Sequence, residues 1–266
     1  MAYKLIVSDL DGTFLNNRSE IPEANREAVR LMTEKGVGFA LASGRSYHSL
    51  DRFYDYLSLK GRGICGISFN GAVTYEVDNL RQLKKILMKN ETMRYLVAEM
   101  RPFLKDIYVY DADGVLYCEY ETETYSGYHT RSRVPNAIKS FDDIDSDIIK
   151  ILLLDDYSVL SPVYEHLKDI VPGLCNMFFS SKRMLEFTEL SATKGSALIF
   201  LSSHLGIGMD EIIAVGDNFN DESMISAAGL GVVTANGEES LKTGAGYVTL
   251  ADNNDGALLE IVENFL

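Results

Sequence analysis

Two aspartates close to the amino terminus have the types and spacing needed for chemistry on a phosphate. Asp9 and Asp11 stand in the pentapeptide Asp-Leu-Asp-Gly-Thr, directly after the apolar run at residues 3–8. Asp9 is ionised at neutral pH, because the reference pKa of its carboxyl group is about 3.9, and an ionised carboxylate can attack phosphorus. Asp11 lies on the same side of an extended chain, so it can protonate a leaving oxygen and then deprotonate water. The simpler interpretation is an acidic turn that contains a glycine.

A second acidic stretch could supply the metal that such a reaction needs. Residues 216–221 read Gly-Asp-Asn-Phe-Asn-Asp. An anion that attacks a phosphate meets a repulsion of about 4 kcal/mol per pair of unit charges, at roughly 4 Å and an effective dielectric constant of about 20. Asp217 offers a hard oxygen ligand, and Mg²⁺ prefers a few carboxylates together with water and substrate phosphate. Taken alone the stretch could be a polar loop, but beside Asp9 it predicts a magnesium site.

Three short motifs carry groups that can hold a phosphate. Ser43 can donate its hydroxyl, and the Gly44 amide at a helix start can donate to a phosphate oxygen, although a Ser-Gly pair is more often a cap or a turn. Lys194, at the head of a helical stretch, offers a cation where phosphate charge builds up. Its alternative is a solvated lysine. Asn70 and Gly71 fit a simple turn and a site-lining role equally well.

These polar groups follow short apolar runs, as they would in an α/β fold. Apolar runs alternate with helical stretches, which is typical of a parallel sheet covered on both faces. Ligands bind beyond the carboxyl ends of the strands in such sheets, and Asp9, Ser43 and Asp217 fall there. The predicted strands are residues 3–8, 37–42, 64–69, 212–215, 232–233 and 247–250.

The middle of the chain has a different pattern. Helical patterns are mixed with strand-like pieces between about residues 84 and 189, and the pair Asp113-Gly114 is typical of a hairpin turn. We therefore predict a core of residues 1–83 and 190–266, interrupted by an inserted α+β domain of residues 84–189. The predicted elements of the insertion are helices at 91–104 and 158–170 and strands at 106–110, 115–120 and 148–154.

Composition narrows the classes of partner. The chain has 266 residues, a formal net charge of -14 and 46% hydrophobic residues. An acidic surface disfavours nucleic acid and anionic membranes, whereas a metal and one lysine can still attract a small phosphorylated ligand. No apolar run approaches the roughly 20 residues of a membrane span, and the amino-terminal residues lack a signal-peptide pattern, so we predict a cytoplasmic protein. The three separated cysteines suggest neither a disulfide framework nor a zinc site.

The ordered set of motifs resembles one known superfamily. Asp-Leu-Asp-Gly-Thr at residue 9, Ser-Gly-Arg at 43, Thr-Lys-Gly at 193 and Gly-Asp-Asn-Phe-Asn-Asp at 216 look like the haloacid dehalogenase-like superfamily, and specifically its Cof-type (type IIB) phosphatases. The match spans nearly the whole chain. It implies a Rossmann-like parallel-sheet core with an inserted α+β cap domain of the C2 type B class, which sets substrate specificity. It also implies a phosphatase acting on small phosphorylated metabolites such as sugar phosphates.

The resemblance implies a role for each motif residue. Asp9 would be the nucleophile and Asp11 the acid/base. Mg²⁺ would be held by Asp9, the backbone carbonyl of Asp11 and Asp217, with Asp221 in support. The phosphate would meet the backbone at Leu10 together with Ser43, Gly44, Lys194 and Asn220.

Some points stay open at this stage. Family members commonly have Gly-Asn-Ala after the last motif, where this chain has Ala-Asn-Gly at residues 235–237. A phosphosugar mutase of the same superfamily would need a basic cluster in the cap, and the candidates Arg131, Arg133, Lys182 and Arg183 are thinly spread. A non-catalytic binding module would usually lack a motif residue, and all are present.

We expect loops at residues 125–135 and 178–183 to determine which substrate binds. The sequence leaves open the identity of that substrate and the oligomeric state.

Overall fold

The chain divides into two compact units. The computed structural model describes residues 2–266, so residue 1, where the predicted core begins, lies outside the described residues. The first unit comprises the chain up to Arg45 together with Leu50–Leu83 and Thr193–Leu266. The second unit comprises Ser46–Ser49 and Lys84–Ala192. Each unit has its own sheet and its own hydrophobic core.

Strands and helices alternate along most of the described chain. The strands are β1 (Leu5–Ser8), β2 (Gly38–Leu41), β3 (Cys65–Ser68), β4 (Val73–Glu76), β5 (Gln82–Lys85), β6 (Ile107–Asp111), β7 (Leu116–Cys118), β8 (Asn136–Ile138), β9 (Ile148–Leu154), β10 (Asn176–Ser181), β11 (Met184–Thr188), β12 (Ile212–Gly216), β13 (Leu230–Val233) and β14 (Tyr247–Val248). The helices are α1 (Glu23–Glu34), α2 (Tyr47–Tyr56), α3 (Asn90–Met100), α4 (Glu123–Ser132), α5 (Tyr157–Leu167), α6 (Lys194–Leu205), α7 (Glu222–Ala227), α8 (Glu239–Lys242) and α9 (Ala257–Phe265).

A parallel sheet forms the centre of the first unit. Within residues 2–266 its five strands run in the order β14-β13-β12-β1-β2, and every neighbouring pair is parallel. β1 and β12 are buried along their whole length, as expected where both faces of a sheet are covered. On one face, Leu198 and Leu201 of α6 pack into the same core as Leu5 and Val7 of β1. The predicted α/β fold with a parallel central sheet is confirmed.

The third apolar run behaves differently from the prediction. β3 pairs antiparallel with β4, in a three-stranded sheet of order β3-β4-β5, and a single parallel bridge from Ala42 to Ile67 links it to the end of β2. The chain reverses between β3 and β4 because Phe69, Asn70 and Gly71 all have positive φ angles. The apolar run alone did not reveal this reversal, since an apolar strand reads the same in a parallel or an antiparallel sheet.

The second unit is an α+β structure. Its sheet has the order β10-β11-β9-β6-β7-β8 and is antiparallel except between β7 and β8. The expectation that residues 125–135 form a loop is wrong, because α4 occupies most of this segment. Thr122 caps that helix by accepting a hydrogen bond from the backbone N–H of Tyr125 at 3.0 Å. Residues 178–183 are likewise mostly strand, the end of β10 and its turn into β11. Both segments lack strong hydrophobic periodicity, which is why the sequence pattern missed them.

The remaining sequence expectations concern membranes and thiols. Nowhere in the described residues is a helix both long enough and apolar enough to cross a bilayer. Cys65, Cys118 and Cys175 are buried free thiols. Burial raises the pKa of the Cys175 thiol to about 12, so this cysteine stays protonated and unreactive at neutral pH.

Candidate active site

An acidic cluster forms where two neighbouring strands of the first unit end. Asp9 directly follows β1 and Asp217 directly follows β12, and the pairing of Ser8 with Val215 brings the two strand ends side by side. The backbone N–H of Asp9 donates to the carbonyl of Val215 at 2.8 Å. One carboxylate oxygen from each of Asp9, Asp217 and Asp221 lies within 4.8 Å of the others. We call these three side chains the carboxylate cluster.

The turn after Asp9 is shaped to approach Asp217 closely. Gly12 has a φ angle of +89°, and a Cβ atom at this position would lie 2.6 Å from Oδ2 of Asp217. The next residue, Thr13, donates its hydroxyl to Oδ1 of Asp217 at 2.6 Å. Sequence reasoning assigned no role to Thr13, although its place in the first motif was a signal. The glycine and the threonine together fix Asp217 against the loop that carries Asp9.

A buried lysine neutralises part of the cluster. Lys194 is the first residue of α6 and is fully buried. Its ammonium group donates to Oδ1 of Asp9 at 2.5 Å and to Oδ1 of Asp221 at 2.6 Å. A buried ammonium needs such partners, because an unpaired charge in the interior is strongly destabilising. Thr193 and Ser196 form a capping box at the start of α6 and so fix the position from which Lys194 projects.

Asp221 supports the loop between β12 and α7. Its Oδ2 accepts hydrogen bonds from the backbone N–H groups of Asp217 at 3.0 Å and Asn218 at 3.1 Å. Its Oδ1 is held by Lys194, so both oxygens of this fully buried carboxylate have partners. Gly216 makes the arrangement possible, because a Cβ atom there would lie 2.4 Å from the Cβ of Asp221.

The cluster carries more negative charge than its lysine can offset. Burial raises the pKa of Asp9 well above its usual range; the ammonium of Lys194 opposes this rise, while Asp221 and Asp217 add to it. Burial and the carboxylate of Asp221 raise the pKa of Asp217 to about 6. Burial lowers the pKa of Lys194, but the charges of Asp221 and Asp9 more than offset this, so the pKa lies above its ordinary value and the lysine stays protonated.

The donor set fits a hard divalent cation. All three groups of the cluster offer oxygen, which Mg²⁺ prefers, and they crowd within one coordination sphere. Burial, and after it the neighbouring carboxylate of Asp221, raise the pKa of Asp217, and a bound cation would favour the ionised form against both. The side chain of Asp11 is outside this cluster, so any metal contact of Asp11 falls to its backbone carbonyl.

Asp11 is instead held by an arginine. Nε of Arg45 donates to Oδ2 of Asp11 at 2.8 Å, and Nη2 donates to Oδ1 at 2.5 Å. This two-pronged ion pair lies at the surface, with half of the Asp11 side chain exposed. Sequence reasoning quoted Arg45 as part of the Ser-Gly-Arg motif but gave it no task. The pair fixes the direction in which the Asp11 carboxylate points.

The residues predicted to bind phosphate surround the same strand ends. Ser43 is buried and its hydroxyl accepts from the backbone N–H of Arg45 at 3.2 Å. Leu10 is buried, and its carbonyl accepts from the backbone N–H groups of Phe14 and Leu15. The amide of Asn220 donates to Oδ1 of Asn70 at 3.1 Å.

Asn70, for which the sequence left a turn and a site-lining role equally open, contacts two of the residues predicted to bind phosphate. A Cβ atom on Gly44 would lie 2.9 Å from the Asn70 side-chain nitrogen, so Gly44 and Asn220 both adjoin the Asn70 amide.

The loop that departs from the usual family motif still contacts the site. Nδ2 of Asn236 donates to the carbonyl of Gly12 at 2.8 Å, and its Oδ1 accepts from the backbone N–H of Asn253 at 3.0 Å. The backbone N–H of Glu238 donates to the carbonyl of Asp217 at 2.9 Å. The central asparagine of the motif therefore connects to the first loop, although its neighbours at 235 and 237 are exchanged.

Known proteins resemble this chain in both sequence and fold. A family model described as haloacid dehalogenase-like hydrolase matches residues 6–261. A haloacid dehalogenase-like hydrolase from Bacteroides thetaiotaomicron, known from its crystal structure, is 30% identical and matches with a TM-score of 0.87 over 99% of this chain and 100% of its own. YxeH of Bacillus subtilis is 28% identical over 98% of both chains, and phosphatase YwpJ of that organism is 26% identical over 95% of this chain and 96% of its own. The chain belongs to the family of haloacid dehalogenase-like hydrolases.

Proposed function

We propose that this chain is a Mg²⁺-dependent, cytoplasmic phosphatase that hydrolyses small phosphorylated metabolites through an aspartyl-phosphate on Asp9. The observation that carries the proposal is the pairing of the Asp9 carboxylate with the buried ammonium of Lys194 inside a cluster of further carboxylates. The name of the relative YwpJ, a phosphatase, supports the reaction class. Asp11 adds to this support, because a second acid two residues after the nucleophile suits the release of an alkoxide from phosphorus.

The residues of the chain divide the reaction between them. Lys194 holds Oδ1 of Asp9, so the other carboxylate oxygen is the one that attacks phosphorus. The bond from phosphorus to the ester oxygen breaks, and Asp11 gives that oxygen its proton. Asp11 then takes a proton from water, which attacks the aspartyl-phosphate, releases inorganic phosphate and restores the Asp9 carboxylate. Before the proton can move, either the ion pair between Arg45 and Asp11 must break or the two side chains must rotate together.

The remaining site groups bind and orient the phosphoryl group. Mg²⁺, held by Asp9, Asp217 and the Asp11 backbone carbonyl, would neutralise phosphate charge near the nucleophile. The backbone at Leu10, with Ser43, Gly44, Lys194 and Asn220, provides hydrogen-bond donors for phosphate oxygens. We assign the choice of leaving group to an inserted cap domain, predicted at residues 84–189.

Replacing the nucleophile tests the proposal directly. Asn at position 9 keeps the shape of the side chain but cannot form the aspartyl-phosphate, an acyl phosphate, so Asp9→Asn should lower phosphatase turnover by about a thousandfold or more. Hydrolysis of p-nitrophenyl phosphate and of a panel of sugar phosphates, nucleotides and pyridoxal phosphate, each with Mg²⁺ and with EDTA, measures this. Circular dichroism should show an unchanged fold. Activity retained in the purified variant, or full wild-type activity in EDTA, would contradict the mechanism.

A further inference from the structure

The reversal between β3 and β4 has an unusual backbone. Phe69 and Asn70 have φ angles of +50° and +56°, and Gly71 follows with +98°. Residues with a Cβ atom rarely adopt positive φ, and such conformations persist where the surroundings enforce them, often beside functional sites. Asn70 is also buried. A simple exposed turn needs neither positive φ angles at two residues with a Cβ atom nor a buried asparagine. The contacts of these three residues therefore indicate the role of the conformation.

One side of the reversal is joined to the Ser-Gly-Arg loop. The backbone N–H of Phe69 donates to the carbonyl of Arg45, and that of Asn70 donates to the carbonyl of Ser43, both at 3.0 Å. The side-chain amide of Asn70 adjoins Gly44, because a Cβ atom at residue 44 would lie 2.9 Å from Nδ2 of Asn70. The loop that carries Ser43 and Gly44 therefore rests on Asn70 through both backbone and side chain.

The other side of the reversal meets two more motifs. Oδ1 of Asn70 accepts a hydrogen bond from the side-chain amide of Asn220 at 3.1 Å. Gly71 lies so close to the start of α6 that a Cβ atom would fall 2.0 Å from the carbonyl of Thr193, the residue before Lys194. Three chain segments that are far apart in sequence thus converge on residues 70 and 71.

We propose that Asn70 is a positioning residue for the phosphoryl group of the substrate, acting through Asn220 and Gly44. The Asn220 amide carries two hydrogens, and holding one of them on Oδ1 of Asn70 fixes the direction of the other. The same carboxamide limits where the Gly44 backbone can lie. Pre-oriented donors bind an anion more tightly than mobile ones, because no ordering is needed at the moment of binding. This inference rests on the proposed phosphatase function.

A glycine substitution separates this role from that of a simple turn. Glycine adopts positive φ without steric cost, so Asn70→Gly keeps the backbone conformation and removes only the carboxamide. A residue needed merely for the turn would tolerate the change. Ser58→Gly is the control for the backbone effect, because Ser58 is also a non-glycine residue of the first unit with positive φ, at 54°, but is exposed where Asn70 is buried.

The experiment measures binding of inorganic phosphate in the presence of Mg²⁺ by calorimetry, together with thermal unfolding. We expect Asn70→Gly to weaken phosphate binding about tenfold, equivalent to about 1.4 kcal/mol, with a midpoint of unfolding close to that of Ser58→Gly. In an Asn220→Ala background the same change should weaken binding by clearly less than tenfold, because the hydrogen bond to Asn220 is already lost and only the contact with Gly44 remains. Ser58→Gly should bind phosphate as the wild type does.

Three results would overturn the positioning role. These are wild-type phosphate affinity in Asn70→Gly, independent losses in the double variant, or an Asn70→Gly protein that fails to fold, which would make the side chain a structural one. Failure of the wild-type protein itself to bind phosphate and to hydrolyse any ester would instead refute the proposed function.

Discussion

At the scale of single residues, the crowded carboxylates of the site repel one another, and a bound cation would relieve that repulsion. The carboxylate cluster places three acidic side chains close together, with Asp9 and Asp221 on the ammonium of Lys194, and burial reduces the screening of these charges by water. Thr13 and the backbone N–H groups that bind Asp221 hold the carboxylates in place despite this repulsion. We therefore expect the cluster to lower the stability of the metal-free protein and to favour the binding of a cation.

The substitution Asp217→Asn tests whether the cluster lowers the stability of the metal-free protein. The pKa of Asp217 is raised to about 6 in the folded chain, against about 3.9 for an unperturbed aspartate. Its contribution to stability is therefore full below pH 3.9 and is lost as the pH rises through 6. Without metal at pH 7.5, the Asn variant should be at least as stable as the wild type. Its free energy of unfolding should exceed that of the wild type by up to about 2 kcal/mol, and its unfolding temperature should not be lower. This difference should shrink at pH 5.

Added Mg²⁺ should reverse that order at pH 7.5, because only the wild type keeps all three carboxylates. Thermal unfolding in EDTA and in Mg²⁺ at both pH values gives the comparison. Asp145→Asn, at a highly exposed site, serves as the control and should change neither ranking. An Asn variant that is less stable than the wild type in EDTA and equally stabilised by Mg²⁺ would place the metal elsewhere.

At the scale of elements, the start of α6 determines where the lysine points. Gly195 follows Lys194, and its backbone N–H donates to the hydroxyl of Ser223 in α7 at 3.0 Å. A Cβ atom at Gly195 would lie 2.4 Å from the backbone carbonyl of Ser223, which cannot move aside like a flexible side chain. The close contact of α6 with α7 thus depends on a glycine that is unfavourable for helix formation by itself.

We expect Gly195→Ala to destabilise the protein even though alanine favours a helix by about 1 kcal/mol over glycine. The clash with α7 should cost about 1–3 kcal/mol, and shifting Lys194 should also reduce phosphatase activity. Ser203→Ala on the exposed face of α6 is the control, and its effect should lie within about 0.5 kcal/mol of zero. Denaturant unfolding and activity assays measure both variants. A more stable Gly195→Ala protein would show that helix propensity outweighs the packing of α6 on α7.

At the scale of the whole molecule, catalysis and selectivity are assigned to different parts of the chain. The carboxylate cluster, Lys194 and the residues proposed to bind phosphate all belong to the first unit. The basic residues weighed as substrate contacts belong to the second: Arg131 and Arg133 at the end of α4, and Lys182 and Arg183 between β10 and β11. Arg183 is paired with Asp156 at 3.2 Å, while Arg131 and Lys182 are exposed.

Substitution of the exposed basic residues tests this division of labour. Arg131→Ala and Lys182→Ala should change the relative kcat/KM among phosphorylated metabolites by up to about tenfold. Hydrolysis of p-nitrophenyl phosphate should be spared, because its leaving group needs few contacts. Lys168→Ala is a matched change at an exposed lysine directly after α5, paired with Glu165, and should leave the ranking of substrates unaltered. A ranking that responds to substitutions in the first unit but not to those in the second would refute the assignment.

The sequence by itself determined the fold class and the family. Apolar runs that alternate with helical stretches specify a parallel sheet through burial on both faces, and the motif set identified haloacid dehalogenase-like hydrolases, as the match over residues 6–261 confirms. The roles of Asp9, Asp11, Asp217 and Lys194 could also be predicted, because carboxylates and an ammonium at strand ends and a helix start have few other uses in combination. They remain predictions until the variants are measured.

Only the tertiary structure decided which side chains meet. Thr13 reaches Asp217 across 204 positions of sequence, and Asn70 reaches Asn220 across 150. Such pairs depend on strand register and on positive φ angles in loops, as at Asn70, and hydrophobic periodicity encodes neither. The same reason explains why β3 turned out to pair with β4, and why α4 went unnoticed in a segment without a clear apolar face. Local pattern specifies which element forms, whereas long-range packing specifies which partner each residue finds.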